Sequence, residues 1–159
     1  MKAFVALFLL ASLATSAAQT APRLEGTWKS DRALTMTFAR QRNKLEAKTE
    51  SLWSEMVGKM TLTISDKEIR SEMAGWDVPI EGKPYHMEGF SGSSSYKIVF
   101  SDKSVIVAIS KNPATGASEA TTYNFVGPDT FWVYTGRGDD ESPGSHLREY
   151  FRRVPVQRD

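Results

Sequence analysis

The sequence has 159 residues and no cysteine, and this absence excludes several classes of protein. Without cysteine the chain has no disulfide scaffold, no thiolate-ligated zinc site and no cysteine nucleophile. An excess of one charge is also missing, because 20 Lys and Arg stand against 19 Asp and Glu. A protein built mainly to bind nucleic acid usually has a strong basic excess, so no nucleic-acid partner is expected. The length and the 40% hydrophobic content instead predict a single globular domain held by its core.

The chain also lacks an apolar run at its start that is long enough to cross a membrane. The run from Ala3 to Ala14 has 12 residues, whereas a spanning helix needs about 20. A positive start, a short apolar run and small residues up to Ala18 are typical of a secretory signal peptide. We therefore predict a signal peptide at residues 1–18, cleaved near Ala18, and one domain at 19–159. An uncleaved anchor is the alternative, but stable membrane insertion is not expected.

The composition of the expected mature chain is typical of a protein exported from a bacterial cell. Removal of 18 residues from the 159 leaves 141, and the mature charges balance at 19 against 19. Eukaryotic secreted proteins of this size more often contain disulfides, and this chain also has no Asn-x-Ser/Thr acceptor site. We therefore predict a periplasmic or secreted protein of bacterial type.

The first part of this domain reads as a strand followed by a helical segment. Leu24, Gly26 and Trp28 alternate, which predicts a short strand. No Gly or Pro occurs between Asp31 and Val57, and Gly58 follows as a C-terminal cap. One helical face carries the apolar residues Leu34, Phe38, Leu45, Leu52 and Met56. The pattern predicts one long helix between strands 1 and 2, or two short helices with a bend.

After Gly58 the apolar period changes to two and predicts strands up to the end of the chain. The count is eight, or nine if the stretch Val78–Phe90 is two strands, and the run Ser91–Ser95 reads as a hairpin loop. Because most connections are short and rich in turn residues, neighbouring strands should pair antiparallel. The prediction is a mainly β protein, an up-and-down antiparallel barrel whose interior is either filled or holds one small ligand.

Three features in this order resemble the calycin superfamily, as a bacterial lipocalin-like domain with an element order similar to fatty-acid-binding proteins. They are Gly26-Thr27-Trp28 on the first strand, the helical segment after it, and Arg148-Glu149-Tyr150 on the last strand. The resemblance implies structural roles for Gly26 and Trp28, with an arginine of the last strand stacked on Trp28, and Arg148 is one candidate. It also implies that Arg148 and Tyr150 bind the carboxylate of a ligand.

The register of the last strand decides whether that carboxylate site is feasible. Arg148, Tyr150 and Arg152 share one face, and Leu147 and Phe151 lie on the other. Leu147 and Phe151 look like core residues, which leaves the basic face in solvent. The opposite register would bury arginines, at several kcal/mol each, and would require an acidic partner or ligand. Only in that inward register would Arg148 and Tyr150 bind an anionic head group.

The helical segment supplies the other predicted ligand contacts. It acts either as a lid over a cavity or as a permanent closure of one barrel end. Methionine recurs on adaptable apolar binding surfaces, and five of the six methionines lie between the helix and the fourth strand. Phe38, Met56 and Met60 are therefore predicted to line a pocket, although ordinary core packing explains them too.

Motifs for catalysis are scarce, so we predict no enzymatic activity and no cofactor. There is no Gly-x-Ser-x-Gly elbow and no HExxH spacing, and the two histidines are His86 and His146. His86 and Glu88 could share a strand face, but no metal site is predicted. The predicted function is non-covalent binding of a small hydrophobic or amphipathic ligand, for which a fatty acid is the example that the resemblance implies. The alternative is a barrel with a packed interior that acts through its surface, as an inhibitor or an envelope interaction module with a protein partner.

Overall fold

The structure is a computed structural model and describes residues 22–43, 45–80, 82–112, 115–135 and 147–155. The predicted signal peptide at 1–18 lies outside the described residues. The elements in chain order are β1 (Gly26–Ser30), α1 (Arg32–Arg42), α2 (Ala47–Met56), β2 (Thr61–Ile64), β3 (Glu68–Met73), β4 (Trp76–Ile80), β5 (Lys83–Met87), β6 (Phe90–Ser101), β7 (Val105–Lys111), β8 (Ser118–Gly127), β9 (Thr130–Tyr134) and β10 (Arg148–Arg153).

Eight of these strands form a closed antiparallel barrel in the order β1-β10-β9-β8-β7-β6-β3-β2. Strands that follow one another along the chain are neighbours, except where the separate two-stranded hairpin β4–β5 is inserted between β3 and β6. The predicted mainly β, up-and-down barrel is therefore confirmed. The barrel has eight of the ten described strands, which agrees with the predicted eight or nine, and the other two form the separate hairpin β4–β5.

The helical segment between β1 and β2 is two helices, so the prediction of one long helix is wrong and its alternative is correct. α1 begins after Asp31, whose carboxylate accepts a hydrogen bond of 2.9 Å from the Leu34 amide. α1 buries Thr35, Met36 and Ala39, whereas α2 buries none of its residues. α1 lies against β10, and α2 folds back along α1, with Arg32 donating to Ser54 and Arg40 to Glu50, each at 2.7 Å.

The serine-rich run after Phe90 is a strand and not the predicted loop. Residues 90–95 of β6 pair with β3 from Met73 opposite Phe90 to Glu68 opposite Ser95. Serine and glycine have low strand propensity, but propensity depends strongly on context, and a continuous ladder to β3 overrides it here. This correction matters because it places small polar side chains on the barrel wall.

We call the end of the barrel where short turns join β2 to β3, β6 to β7 and β8 to β9 the tight-turn end. Aromatic side chains fill this part of the barrel. The ring of Phe131 lies 4.6 Å from Trp28, 5.3 Å from Phe151, 5.2 Å from Tyr123 and 5.5 Å from Phe125, measured between ring centres. Aliphatic residues complete this core, namely Leu24, Leu62, Ile64, Ile69, Ile106 and Ala108. Burial of this apolar surface is the main source of stability for a chain without disulfides.

Candidate functional site

The tight-turn end of the barrel is closed by Trp28 and Arg153. Trp28 is fully buried, and its indole N–H donates to the Leu24 carbonyl at 2.7 Å. The arginine stacked on its ring is Arg153, with its guanidinium carbon 4.1 Å from the ring centre, and not the candidate Arg148. The physical reason is register: Arg153 is the direct cross-strand partner of Trp28.

Gly26 belongs to the same closure. Its φ of +131° is disfavoured for any residue with a side chain, and a Cβ there would lie 2.5 Å from a terminal nitrogen of Arg153. The Arg153 guanidinium also donates to the Arg23 carbonyl at 2.7 Å and pairs with Asp129 at 3.0 Å. A surface depression of about 500 Å³ beside it is lined by Arg23, Glu25 and Arg153. Because Arg153 is committed to these partners, this end of the barrel reads as a structural plug.

The register of β10 is the outward one. Glu149 and Phe151 are buried at 7% and 1% exposure, so they point into the barrel. Arg148 and Tyr150 alternate with them and therefore lie on the outer face. The condition for an anionic head group bound inside the barrel by Arg148 and Tyr150 is not met.

On the outer face, Arg148 lies in a cluster of aromatic rings. Its guanidinium carbon is 3.8 Å from the Trp132 ring, 4.3 Å from Phe38 and 5.7 Å from Tyr134. The Tyr150 ring lies 6.0 Å from Phe38. Three of the predicted ligand contacts, Phe38, Arg148 and Tyr150, are thus brought together, but between α1 and the outside of the sheet, where they pack α1 against β10.

Sequence reasoning missed the two rings that β9 contributes to this cluster. Trp132 lies opposite Tyr150, and Tyr134 lies opposite Arg148, so the alternation of β9 brings both rings to the outer face. Period two along residues 130–134 was the available signal. Among the described residues the Nε–H of Arg148 is buried and has no hydrogen-bond partner. The cluster therefore holds the arginine mainly by stacking.

The inward side chains of the barrel are less buried toward the end where the helices connect β1 to β2. The inward residues there are only half-buried, in contrast to the sealed aromatic core below them. We call this lining the cup; its members are Met60, Ser71, Ser94, Ser110, Thr121 and Val133. Their direction follows from the register, because Ser71 lies opposite Leu62, Ser94 opposite Ile69 and Thr121 opposite Ala108, all core residues.

The cup has an apolar side and a polar side. Met60 and Val133 pack against the core, which makes them continuous with the aromatic floor. The hydroxyl-bearing residues of the cup lie on β3, β6, β7 and β8. Met60 is thus the one predicted ligand contact that reaches the interior, whereas Met56 is the half-buried last residue of α2. A small molecule with both an apolar and a polar part matches such a lining.

A buried carboxyl group lies beside the cup. Glu149 is opposite Val133, and it accepts a hydrogen bond from the Ser30 hydroxyl, whose oxygen in turn accepts one of 2.8 Å from the Gly58 amide. Burial raises the pKa of Glu149, while the Ser30 hydroxyl and the nearby Gly58 amide partly oppose that rise. In the described part of the chain no basic side chain pairs with Glu149 within 4.0 Å. Glu149 alternates with Arg148 and Tyr150 and so shares the face of Phe151, but no sequence motif marked it as a site residue.

The inward charges at the cup end are acidic. Glu119 lies opposite Ser110 on the inward face of β8, and its carboxylate accepts a bond of 3.0 Å from Asn112. The register sends the basic residues of neighbouring strands outward, namely Arg70, Lys97, Lys111 and Arg152. On the described strands the one inward cation is Arg153, at the closed end of the barrel.

The histidine considered as a metal ligand has another partner. His86 Nδ1 lies 2.8 Å from Asp77 Oδ1 across the β4–β5 hairpin, and this hydrogen bond is the main cause of a raised His86 pKa. Across the described ranges no three His, Asp or Glu side chains are grouped as metal ligands.

No described helix is long and apolar enough to span a membrane. His146 and the Arg137-Gly138-Asp139 tripeptide lie outside the described residues.

Comparison with known proteins identifies no relative from which a function could be inferred. No family model matches the chain, and no match is found among curated proteins or solved structures. The closed antiparallel eight-stranded barrel is compatible with a calycin-like fold.

Proposed function

We propose that this protein binds a small amphipathic molecule, non-covalently, in the cup. The observation that carries the proposal is the half-buried, two-sided lining above a sealed aromatic floor. Met60 and Val133 offer apolar contact, and the hydroxyls of Ser71, Ser94 and Ser110 offer hydrogen bonds. Because aromatic rings fill the floor, a ligand of the cup would lie toward the helices, which favours a short ligand over a long acyl chain.

The same proposal includes the calycin-like family and the exported state. The support for the family is the closed barrel together with Gly26, Trp28 and Arg153 at its plugged end. The support for export is the predicted signal peptide at 1–18. A binding role is preferred to catalysis because the hydroxyl that donates to the buried acid Glu149 is Ser30, and Ser30 is itself buried at 6% exposure, away from a substrate.

The first experiment identifies what the protein carries. The full chain is purified from its own host, and native mass spectrometry is recorded without denaturation. A bound small molecule of defined mass supports the proposal. Protein that is free of any such mass, and that binds no member of a panel of short amphiphiles, contradicts it.

The second experiment tests the location with a matched pair of substitutions on β6. Ser94 faces the cup opposite Ile69, and Ser93 faces outward opposite Arg70. Ser94→Phe fills the cup, so we expect at least a tenfold loss of affinity for 1-octanol, measured by NMR titration. Ser93→Phe adds the same ring to the outer surface and should leave that affinity unchanged. Equal titrations in both variants would place binding elsewhere.

A second candidate function rests on a different surface. The outer face of β6 and β7 exposes Val99, Phe100 and Ile109 at 50%, 52% and 41%. Exposed apolar patches of this kind mark interaction surfaces when they are contiguous, as in the surface-acting alternative. A co-purified protein that Phe100→Ser releases, with the cup still empty, would favour this function over ligand binding.

A further inference from the structure

Glu149 is a buried acid for which the fold supplies no counter-cation in the described residues. Removal of a carboxylate from water is costly unless it is paired or neutralised by a proton. One hydrogen bond, from the Ser30 hydroxyl, satisfies part of its acceptor capacity, while the Gly58 amide donates to the Ser30 oxygen at 2.8 Å. A carboxylate offers about four lone-pair sites, so most of them remain for another donor.

The surroundings of Glu149 favour a donor that comes from outside the chain. Glu119, the other inward acid at the cup end, adds negative potential. Lys59 follows Gly58 in the sequence, but its ammonium nitrogen lies over the Trp76 ring, 5.4 Å from the ring centre. Arg148 and Arg152 flank Glu149 along β10 but point to the outer face. The Glu149 carboxylate beside the cup therefore lacks a cation among the described residues and is a site where a positively charged group can bind.

We propose that the ligand of the cup is a short amphiphilic amine whose ammonium group binds the carboxylate of Glu149. The inference rests on the proposed function, because it names the chemical class of ligand for the same cup. The apolar part of the amine lies against Met60 and Val133, and the remaining N–H groups face the serine and threonine hydroxyls. A fatty acid is disfavoured, because its carboxylate would approach two protein carboxylates.

The test compares three head groups on one chain length: octylamine, 1-octanol and octanoate, at pH 7 and low salt. Dissociation constants are measured with the full chain by NMR titration. We expect octylamine to bind at least tenfold more tightly than 1-octanol, and octanoate to bind most weakly. Glu149→Gln retains a hydrogen-bond acceptor but no charge, so it should bring octylamine to the affinity of 1-octanol.

The matched control is Glu72→Gln on β3. Glu72 faces outward and pairs with Arg70 at 2.7 Å, so this variant removes the same charge outside the cup. It should retain the full preference for octylamine. A preference that falls equally in both variants would indicate a general charge effect and overturn the role of Glu149.

The outcomes separate this inference from the function on which it rests. If octanoate binds at least as tightly as octylamine while 1-octanol still shifts the NMR signals of cup residues, the amine proposal is wrong. Binding in the cup then still stands. Absence of binding by all three compounds overturns both. The order of the three head groups in the unmodified protein is decisive even when Glu149→Gln fails to fold.

Discussion

The guanidinium carbon of Arg153 lies 4.1 Å from the centre of the Trp28 ring, and the two residues are direct partners across β1 and β10. The same guanidinium donates to the carbonyls of Glu25 and Arg23, which tie the entry to β1 to the end of β10. One side chain therefore joins the first and last barrel strands at the closed end. Its loss should be felt by the whole barrel.

We expect Arg153→Ala to lower the free energy of unfolding by about 2 kcal/mol. The estimate combines one cation–π contact with charge-assisted hydrogen bonds, each of which contributes about 1 kcal/mol or more. Arg152→Ala is the control, since the Arg152 side chain is 62% exposed and makes an ion pair with Asp31. It should cost less than about 1 kcal/mol. Urea unfolding of both variants checks the difference, and equal losses would show that the stacking contributes nothing.

Glu149 should make stability depend on pH in the opposite sense to a paired surface acid. Burial raises its folded-state pKa above the ordinary value of 4.5, so the folded protein holds the proton more tightly than the unfolded chain. This contribution is fully present below the unfolded pKa and is lost as pH rises through the folded pKa. As pH rises above about 4.5, the unmodified protein should therefore lose unfolding free energy relative to Glu149→Gln, whose side chain does not titrate. A difference that stays constant from pH 4 to pH 8 would contradict the raised pKa.

Arg148 should act through packing more than through its charge. Its guanidinium lies between the rings of Trp132 and Phe38, and its Nε–H has no described partner. We expect Arg148→Ala to destabilise the protein by about 1–2 kcal/mol and to speed amide exchange in α1. Arg148→Met keeps much of the apolar volume and should recover most of that loss. A methionine variant as unstable as the alanine variant would assign the effect to the cation.

α2 should be the least protected of the described regular elements in hydrogen exchange. It buries none of its residues, and the contacts that hold it to α1 are exposed. They are Arg40 with Glu50 at 2.7 Å and Arg32 with Ser54 at 2.7 Å. Exposed pairs of this kind contribute about 0–1 kcal/mol and weaken with salt. Exchange of α2 amides should be faster than in β9 and accelerate in 0.5 M salt, whereas protection equal to that of β9 would contradict this reading.

The barrel could be predicted from local patterns. Period-two alternation and short turns after Gly58 specify antiparallel neighbours, and closure removes the exposed edges of a sheet this long. The division of the helical segment was harder to predict, because apolar spacing continues across the break between Arg42 and Ala47. The strand at Ser91–Ser95 could not be found from propensity, since its ladder partner, β3, lies some twenty residues earlier in the chain.

The candidate site divides in the same way. Leu147 and Phe151 favoured the outward register of Arg148 and Tyr150 and left the inward one open, because large apolar side chains on one face favour the burial of that face. Local sequence could not reveal that Arg153 rather than Arg148 meets Trp28, or that Trp132 and Tyr134 surround Arg148. It also could not reveal that Glu149 lies beside Val133 with no cation from the described residues. Those relationships depend on strand register between segments far apart in the chain, and register is set by the packing of the closed barrel as a whole.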